Sequence, residues 1–393
     1  MKNYAVICEY NPFHFGHEYQ ISKIKENGGT VTCIMSGDFC QRGEAAAADK
    51  YARARMAVMG GADLVLELPF PYSAAGAEKF AFGGVDIMSR LGYIDALSFG
   101  SECGDAELIR RTAENTLSAE FARALSEALA ENKNKPYGTV YFDTYARIFG
   151  EGVFGGSNNI LGVAYASEII KKGLATELTT VKRSGEEYNG GGAGFASAST
   201  VRSLIEKSGV ASVSDMLPAY SLEILGKEEK ERRLCRSEKL FPVFASFLRM
   251  SEAEDIARFA ENDISLAPRL IKAGADARSI EELYSLAVTK KYSLSHVKRA
   301  LLFAYFGVTD ALLSERPAYT VLLAANETGR TLLSRAKKSA EIPIITKPAN
   351  YEKYGDDVKK AFELAKKASA VRALAMDEAG RAGDMMRKTP TVI

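Results

Sequence analysis

Tyr4-Ala-Val-Ile-Cys-Glu-Tyr-Asn-Pro-Phe-His-Phe-Gly-His17 is the stretch whose reading decides the fold. It opens on a short apolar run, Tyr4 to Cys8, of the kind that forms a parallel strand covered on both faces. Asn11 and Pro12 supply the turn that leaves the strand. His17 is expected to open a helix, where unsatisfied backbone N–H groups and the helix dipole favour an anion. Gly16, with no side chain, lets a phosphate or an adenine ring approach the backbone. The chain has three histidines, and two of them, His14 and His17, flank Phe15-Gly16. Imidazoles so placed can donate hydrogen bonds to phosphate oxygens as charge builds during attack at an α-phosphorus. The plainer alternative is a turn that happens to carry two histidines. A zinc site is not expected, because the nearest further ligands, Cys8 and Glu9, sit on or beside the strand.

The same pattern repeats through the first hundred residues. Apolar runs at Tyr4 to Cys8, Thr30 to Met35, Leu64 to Leu68 and Ala96 to Phe99 alternate with helical segments at His17 to Lys25, Lys50 to Gly60 and Ala74 to Leu91, a βαβ series that predicts an α/β, doubly wound parallel sheet. Ligands of such sheets bind beyond the carboxyl ends of the strands, so loops 9–16, 36–48 and 100–104 are expected to share one crevice. Residues 105–170 read as helical, Glu177 to Lys182 as a strand, and Ser199 to Lys207 as a helix entered from the glycine-rich loop Asn189 to Gly194, either a connector or a lid. The expected division is residues 1–207 as one domain and 208–393 as a second, mainly helical one, because the strand signal nearly vanishes after Ser208.

Composition narrows the class without naming a partner. With 393 residues, 47% hydrophobic, 26% charged and a formal net charge of +1, the chain is long enough for two or three domains, and its overall charge favours no particular partner. It has no apolar run of about 18 residues, and Met1-Lys2-Asn3-Tyr4 leads into a strand rather than a signal sequence. A cytoplasmic location and no membrane contact are therefore expected. The five cysteines (Cys8, Cys33, Cys40, Cys103 and Cys235) show no CxxC spacing and read as reduced, mostly buried thiols. Residues 331–393 hold 13 Lys plus Arg against 8 Asp plus Glu, which reads equally as a solvated helical surface or as an RNA-facing patch.

A second phosphate motif lies far downstream. Ser197-Ala-Ser-Thr-Val-Arg202 puts a hydroxyl cluster at a helix start with an arginine one turn in, suited to hold anionic oxygens. Together with His-Phe-Gly-His17 it resembles the nucleotidyltransferase superfamily, which includes class I aminoacyl-tRNA synthetases and small adenylyl- and cytidylyltransferases. Cys8-Glu-Tyr-Asn-Pro-Phe-His-Phe-Gly-His17, Met35-Ser-Gly-Asp-Phe-Cys-Gln-Arg-Gly-Glu44, Asp49-Lys50, Glu67-Leu-Pro-Phe-Pro71, Phe99-Gly-Ser-Glu102, Ser157-Asn-Asn-Ile-Leu-Gly162 and, more faintly, Lys298-Arg-Ala-Leu-Leu302 resemble the bacterial tRNA(Met) cytidine acetate ligases. The resemblance implies a Rossmann-like nucleotidyltransferase domain followed by a helical tRNA platform. It further implies an ATP-dependent ligase that forms acetyl-adenylate from acetate, releases pyrophosphate and AMP, and modifies elongator tRNA(Met) to N4-acetylcytidine at the wobble position. Mg2+ is expected to accompany ATP.

Carried onto matching positions, the resemblance implies an ATP site made of Ile7, Cys8, Glu9, Tyr10, Asn11, Pro12, Phe13, His14, Phe15, Gly16, His17, Glu18, Tyr19, Gln20, Gly100, Asn158 or Asn159, and Arg183, joined by Ser199, Thr200 and Arg202 for the distal phosphates. Two positions depart from the family pattern: Asp38 replaces a common asparagine, and Asn189 an expected histidine. Arg42 is read as a counter-ion for acetate or a tRNA phosphate, the alternative being a loop ion pair with Glu44 or Asp49. Lys50, at the unfavourable end of a helix dipole, points to an anion nearby, and with His14, His17 and Arg42 it completes the expected catalytic set. Glu102 is a candidate for ribose hydroxyls or magnesium, Glu67 to Pro71 reads as a structural stop as readily as a site, and His296 reads as ordinary surface or core. No resident metal is expected. The competing functions are a small-molecule adenylyltransferase and a non-catalytic RNA-binding protein. Oligomeric state is not legible.

Overall fold

A computed structural model describes residues 1–133, 135–182 and 197–393. Arg183, Asn189 and the glycine-rich loop lie outside the described residues. The strands are β1 (Asn3–Cys8), β2 (Thr30–Ser36), β3 (Phe39–Cys40), β4 (Glu44–Ala45), β5 (Leu64–Leu68), β6 (Ala96–Ser101), β7 (Glu177–Lys182), β8 (Thr320–Ala325), β9 (Ile344–Ile345) and β10 (Thr391–Val392). The main sheet runs β10-β8-β5-β2-β1-β6-β7, with β9 beside β8, while β3 and β4 form a separate hairpin. Its pairings are parallel except that of β5 with β8. The chain leaves β1 for β2 on one side and returns to β1 through β6 on the other, so the topological switch lies between β1 and β6, where such sheets open a ligand crevice.

The strands are apolar throughout because both faces are covered. Val6, Cys8, Val31, Cys33, Met35 and Val65 enter one core with the helices Phe15–Glu26, Lys50–Met59 and Asp356–Leu374. Their alternates Ala5, Ile7, Ile34, Leu64 and Leu66 enter a second with the helices Ala77–Arg90, Ser157–Lys171 and Glu327–Ser339, as the two-residue period of a strand requires. A third core joins helices of residues 241–313 and takes Phe39 and Phe70 from loops of the sheet half.

Residues 208–393 are mainly helical, but they also send β8, β9 and β10 into the sheet begun at residue 3. The expected loss of strand signal after Ser208 is thus corrected at Thr320-Val-Leu-Leu-Ala-Ala325. A run this short and wholly buried has no polar face, and its periodicity does not separate a core strand from a piece of buried helix. Among the described residues no helix is long and apolar enough to cross a membrane.

Candidate active site

The turn after β1 is nailed into the core from below. The Phe13 ring is fully buried, lying against Gly60, where a side chain would collide with it, and 6.2 Å from the Tyr220 ring. The Asn11 Oδ1 accepts from the Ala47 N–H at 2.9 Å, and the Asn11 carbonyl accepts from Arg202 Nη1 at 2.9 Å. Tyr10 holds a left-handed φ of 45°, a conformation that non-glycine residues adopt chiefly where surrounding structure imposes it.

Helix Phe15–Glu26 begins one residue after His14, which is its N-cap, so His17 stands in the third helical position rather than opening the helix as the sequence suggested. The imidazoles form a reciprocal capping box. His14 Nδ1 accepts from the Gly16 N–H at 3.1 Å, and His17 Nδ1 accepts from the His14 N–H at 3.2 Å. Their rings stack with centroids 3.6 Å apart. With Nδ1 accepting, a neutral imidazole carries its proton on Nε2. Each histidine therefore caps the helix with one nitrogen and carries an N–H donor on the other.

Both histidines line a cavity of about 820 Å³ beyond the carboxyl ends of β1 and β6. Loops 9–16, 36–48 and 100–104 all contribute, as expected. Of the anticipated ATP residues, Ile7, Cys8, Glu9, Tyr10, Asn11, His14, Gly16, His17, Tyr19, Gln20, Gly100, Asn158, Ser199 and Arg202 line it. Pro12, Phe13, Phe15, Glu18, Asn159 and Thr200 do not. Glu18 instead accepts from the Tyr220 hydroxyl at 2.9 Å. Thr200 belongs to the cap of helix Ala198–Ser208, where its N–H donates to Ser197 Oγ at 3.1 Å.

The two asparagines divide their roles. Asn159, 4% exposed, accepts from the backbone N–H groups of Glu102 and Cys103 at 2.9 and 3.2 Å and donates to the Gly155 carbonyl at 3.1 Å. Its amide is engaged in joining β6 to helix Ser157–Lys171. Asn158 faces the cavity and donates to Glu102 Oε1 at 2.7 Å. The second Glu102 oxygen accepts from the Asn159 N–H at 2.8 Å, so this carboxylate caps the helix rather than reaching out for ribose or metal. Burial opposes its charge, but the bonds from Asn158 and Asn159 hold it below its ordinary range.

Lys50 is corrected most sharply. It is 1% exposed and lies below the cavity wall, its Nζ 2.7 Å from Glu67 Oε1 and 3.2 Å from Asp38 Oδ2. The anion that its place in the helix dipole called for is the protein's own. Burial works to lower the Lys50 ammonium, but Asp38 and Glu67 outweigh it and raise it well above its ordinary value. The same triad explains Asp38 and Glu67 as structural residues. Beside it the wholly buried Arg53 donates to the carbonyls of Glu9 at 2.6 Å, Ser36 at 3.0 Å and Gly37, clamping the loops after β1 and β2 together. Sequence reading had no signal for Arg53, since its acceptors are backbone atoms of distant loops.

Arg42 is exposed at the cavity rim and pairs with neither Glu44 nor Asp49. Glu44 is bound elsewhere, to Arg202 Nη2 at 2.8 Å and Lys298 Nζ at 2.6 Å. Arg202 thus reaches the site, but its terminal nitrogens hold Asn11 and Glu44. Lys298 belongs to helix Leu294–Phe306, whose Ser295 and Arg299 also line the cavity. Gly43, with φ 72°, sits so close to the Lys298–Arg299 backbone that no side chain fits between them. The helical half therefore forms one wall of the site, which the faint match at Lys298 to Leu302 foreshadowed without assigning a role. His296 is half-buried, its Nε2 2.8 Å from the Glu261 carbonyl. The five cysteines are free thiols, three of them buried, and burial pushes Cys40 to about 12.

The sequence model of the HIGH nucleotidyl transferase family matches residues 1–385. The tRNA(Met) cytidine acetate ligase of Acetivibrio thermocellus is 35% identical, with 93% of this chain and 92% of that protein covered. The enzyme of the same name from Caldanaerobacter subterraneus subsp. tengcongensis is 34% identical, covering 95% and 96%. The chain belongs to the tRNA(Met) cytidine acetate ligase family. The solved structure of Thermotoga maritima TmcAL bound with alpha-thio ATP superposes with a TM-score of 0.91 at 28% identity, over the full length of both chains. Its apo form gives 0.92. The paired histidines and the residues Ser197, Ser199 and Arg202 line one cavity of this family member.

Proposed function

We infer that this chain activates acetate with ATP as acetyl-adenylate, releasing pyrophosphate, and passes the acetyl group to N4 of the wobble cytidine of elongator tRNA(Met). The observation that carries the reading is the His14–His17 capping box, which fixes both imidazoles at a helix start beside the crevice. Donors fixed in advance stabilise charge developing at an α-phosphate without reorganising during the reaction. The second helix start, at Ser197 and Ser199, opens on the same cavity and is proposed to receive the distal phosphates. Phe99 and Tyr165, with ring centroids 5.8 Å apart, supply an apolar wall for adenine. Gly100 and Asn158 border it, and the exposed Arg42 is proposed to attract the carboxylate or an RNA phosphate.

Mg2+ is proposed to arrive with ATP, held by phosphate oxygens and water, as this ion prefers. Glu44 and Glu102 are engaged with protein partners and are not offered as its ligands. Residues 1–207 are proposed to carry the nucleotide chemistry, and the helical remainder to hold the tRNA, with the cytoplasm as the place of work. The test is acetate-dependent exchange between ATP and pyrophosphate across a panel of short carboxylates, with and without tRNA, followed by nucleoside analysis of the product. Exchange that ignores acetate, or acetylation that persists when the wobble cytidine is replaced by uridine, refutes the reading.

A further inference from the structure

Acetyl transfer creates a demand that the adenylation machinery does not meet. As the cytidine N4 bonds to the acyl carbon it must lose a proton, and a base positioned in the crevice to take it accelerates the step. In their neutral form His14 and His17 do not qualify, because the backbone bonds to Nδ1 leave the proton on Nε2 and make that nitrogen a donor. Glu44 has one oxygen on Lys298 and the other on Arg202. Glu102 has both oxygens on the start of helix Ser157–Lys171. Glu9 differs. Its Oε1 accepts from the Gln41 N–H at 2.5 Å, while Oε2 takes no hydrogen bond from the described residues, and the side chain lines the crevice. Its backbone carbonyl is gripped by Arg53 Nη1 at 2.6 Å, so the carboxylate stands on a rigid base.

We propose that Glu9 is the base of the transfer step: Oε2 takes the N4 proton as the N4–acyl bond forms, and the bond from the acyl carbon to the phosphate oxygen breaks, with AMP leaving on that electron pair. The assignment rests on the acetate-ligase reading. The surroundings suit the role. Burial raises the Glu9 carboxyl, against the Gln41 N–H, Arg202 and Arg42, which lower it, and with Glu44, which raises it; the Cys40 thiol and Tyr165 hydroxyl also feel its charge. A carboxylate shifted toward neutrality is a better proton acceptor than an ordinary one.

Glu9→Gln tests this without dismantling the loop, because the glutamine carbonyl can still accept from the Gln41 N–H. Two steps are read separately on the full chain: acetate-dependent exchange of ATP with pyrophosphate, and single-turnover transfer from acetyl-adenylate to tRNA. Transfer is expected to fall by roughly 10²–10⁴-fold, the usual worth of a positioned base, and far more than exchange. Equal losses in both steps, or a normal transfer rate, overturn the proposal. A second measurement follows pH. The wild-type transfer rate should rise with pH through an ionisation above the ordinary carboxylate value of 4.5, a limb that Glu9→Gln removes; the same limb persisting in the variant overturns the assignment. Wild-type enzyme that shows no acetate-dependent exchange at all refutes the underlying ligase reading instead.

Discussion

His14→Ala removes a helix cap and the proposed phosphate donor at once, and the structure allows the two to be pulled apart. As an N-cap, His14 accepts one helix N–H at 3.1 Å through Nδ1, and losing such a cap costs about 0.5–2 kcal/mol of stability. As a donor to a developing phosphate charge, its Nε2–H is worth about 2.7–4 kcal/mol of transition-state stabilisation, or roughly 10²–10³ in turnover. His14→Asn separates the two, since asparagine is among the best N-caps but its short side chain cannot place a donor where Nε2 stands. Chemical denaturation should show the asparagine variant recovering most of the stability that the alanine variant loses, while acetate-dependent exchange stays roughly 10²–10³ below wild type in both. The companion change His17→Gln should behave alike, because glutamine at the third helical position completes a capping box. A His14→Asn enzyme with near-normal exchange, or activity that follows stability across the series, would show that the histidines only build the turn.

Lys50→Met should destabilise the fold by about 3–5 kcal/mol in urea titrations, because it strands Asp38 and Glu67 without their cation; a variant as stable as wild type but inactive would return Lys50 to the catalytic set. Asn158→Ala is expected to raise the KM for ATP with little change in unfolding, and Asn159→Ala to do the reverse, as three backbone partners lose their bonds; equal effects on KM would refute the division. Glu44 should make the fold acid-sensitive. Burial opposes its ionisation, but Arg202 and Lys298 outweigh it and hold its carboxyl below the ordinary value of 4.5, so the unfolded chain binds the proton more readily. Its stabilisation is present above that value and is lost as pH falls through the folded pKa. Glu44→Gln should flatten this limb of the stability–pH curve, and an unchanged limb would assign the acid sensitivity elsewhere. Binding of tRNA should weaken with salt at about −0.7 to −0.9 log units per neutralised phosphate; salt-independent binding in a filter assay would remove the RNA platform.

Much of the fold and half of the site are written in local pattern. The four apolar runs from Tyr4 to Phe99, the turn at Asn11-Pro12 and the histidine pair at 14 and 17 are decided within a turn or two of chain, where period, chain reversal and helix-end chemistry act over a few ångströms. The three loops expected to meet in one crevice do meet there, because a doubly wound sheet puts the carboxyl ends of its strands on one edge. What the tertiary structure decided is which charges find each other. Lys50 looked like a site residue until Glu67 and Asp38 were brought to it from other turns of the sheet. Glu44 joins Arg202 and Lys298 across 158 and 254 residues, a distance over which no sequence spacing carries information. Asn158 and Asn159 are chemically alike, and only the direction of the helix start puts one toward the cavity and buries the other. β8 reads as any buried apolar segment until the free edge of β5 supplies its hydrogen bonds. A side chain's type is local, but its partner, its burial and therefore its charge state are set by whatever the rest of the chain packs against it.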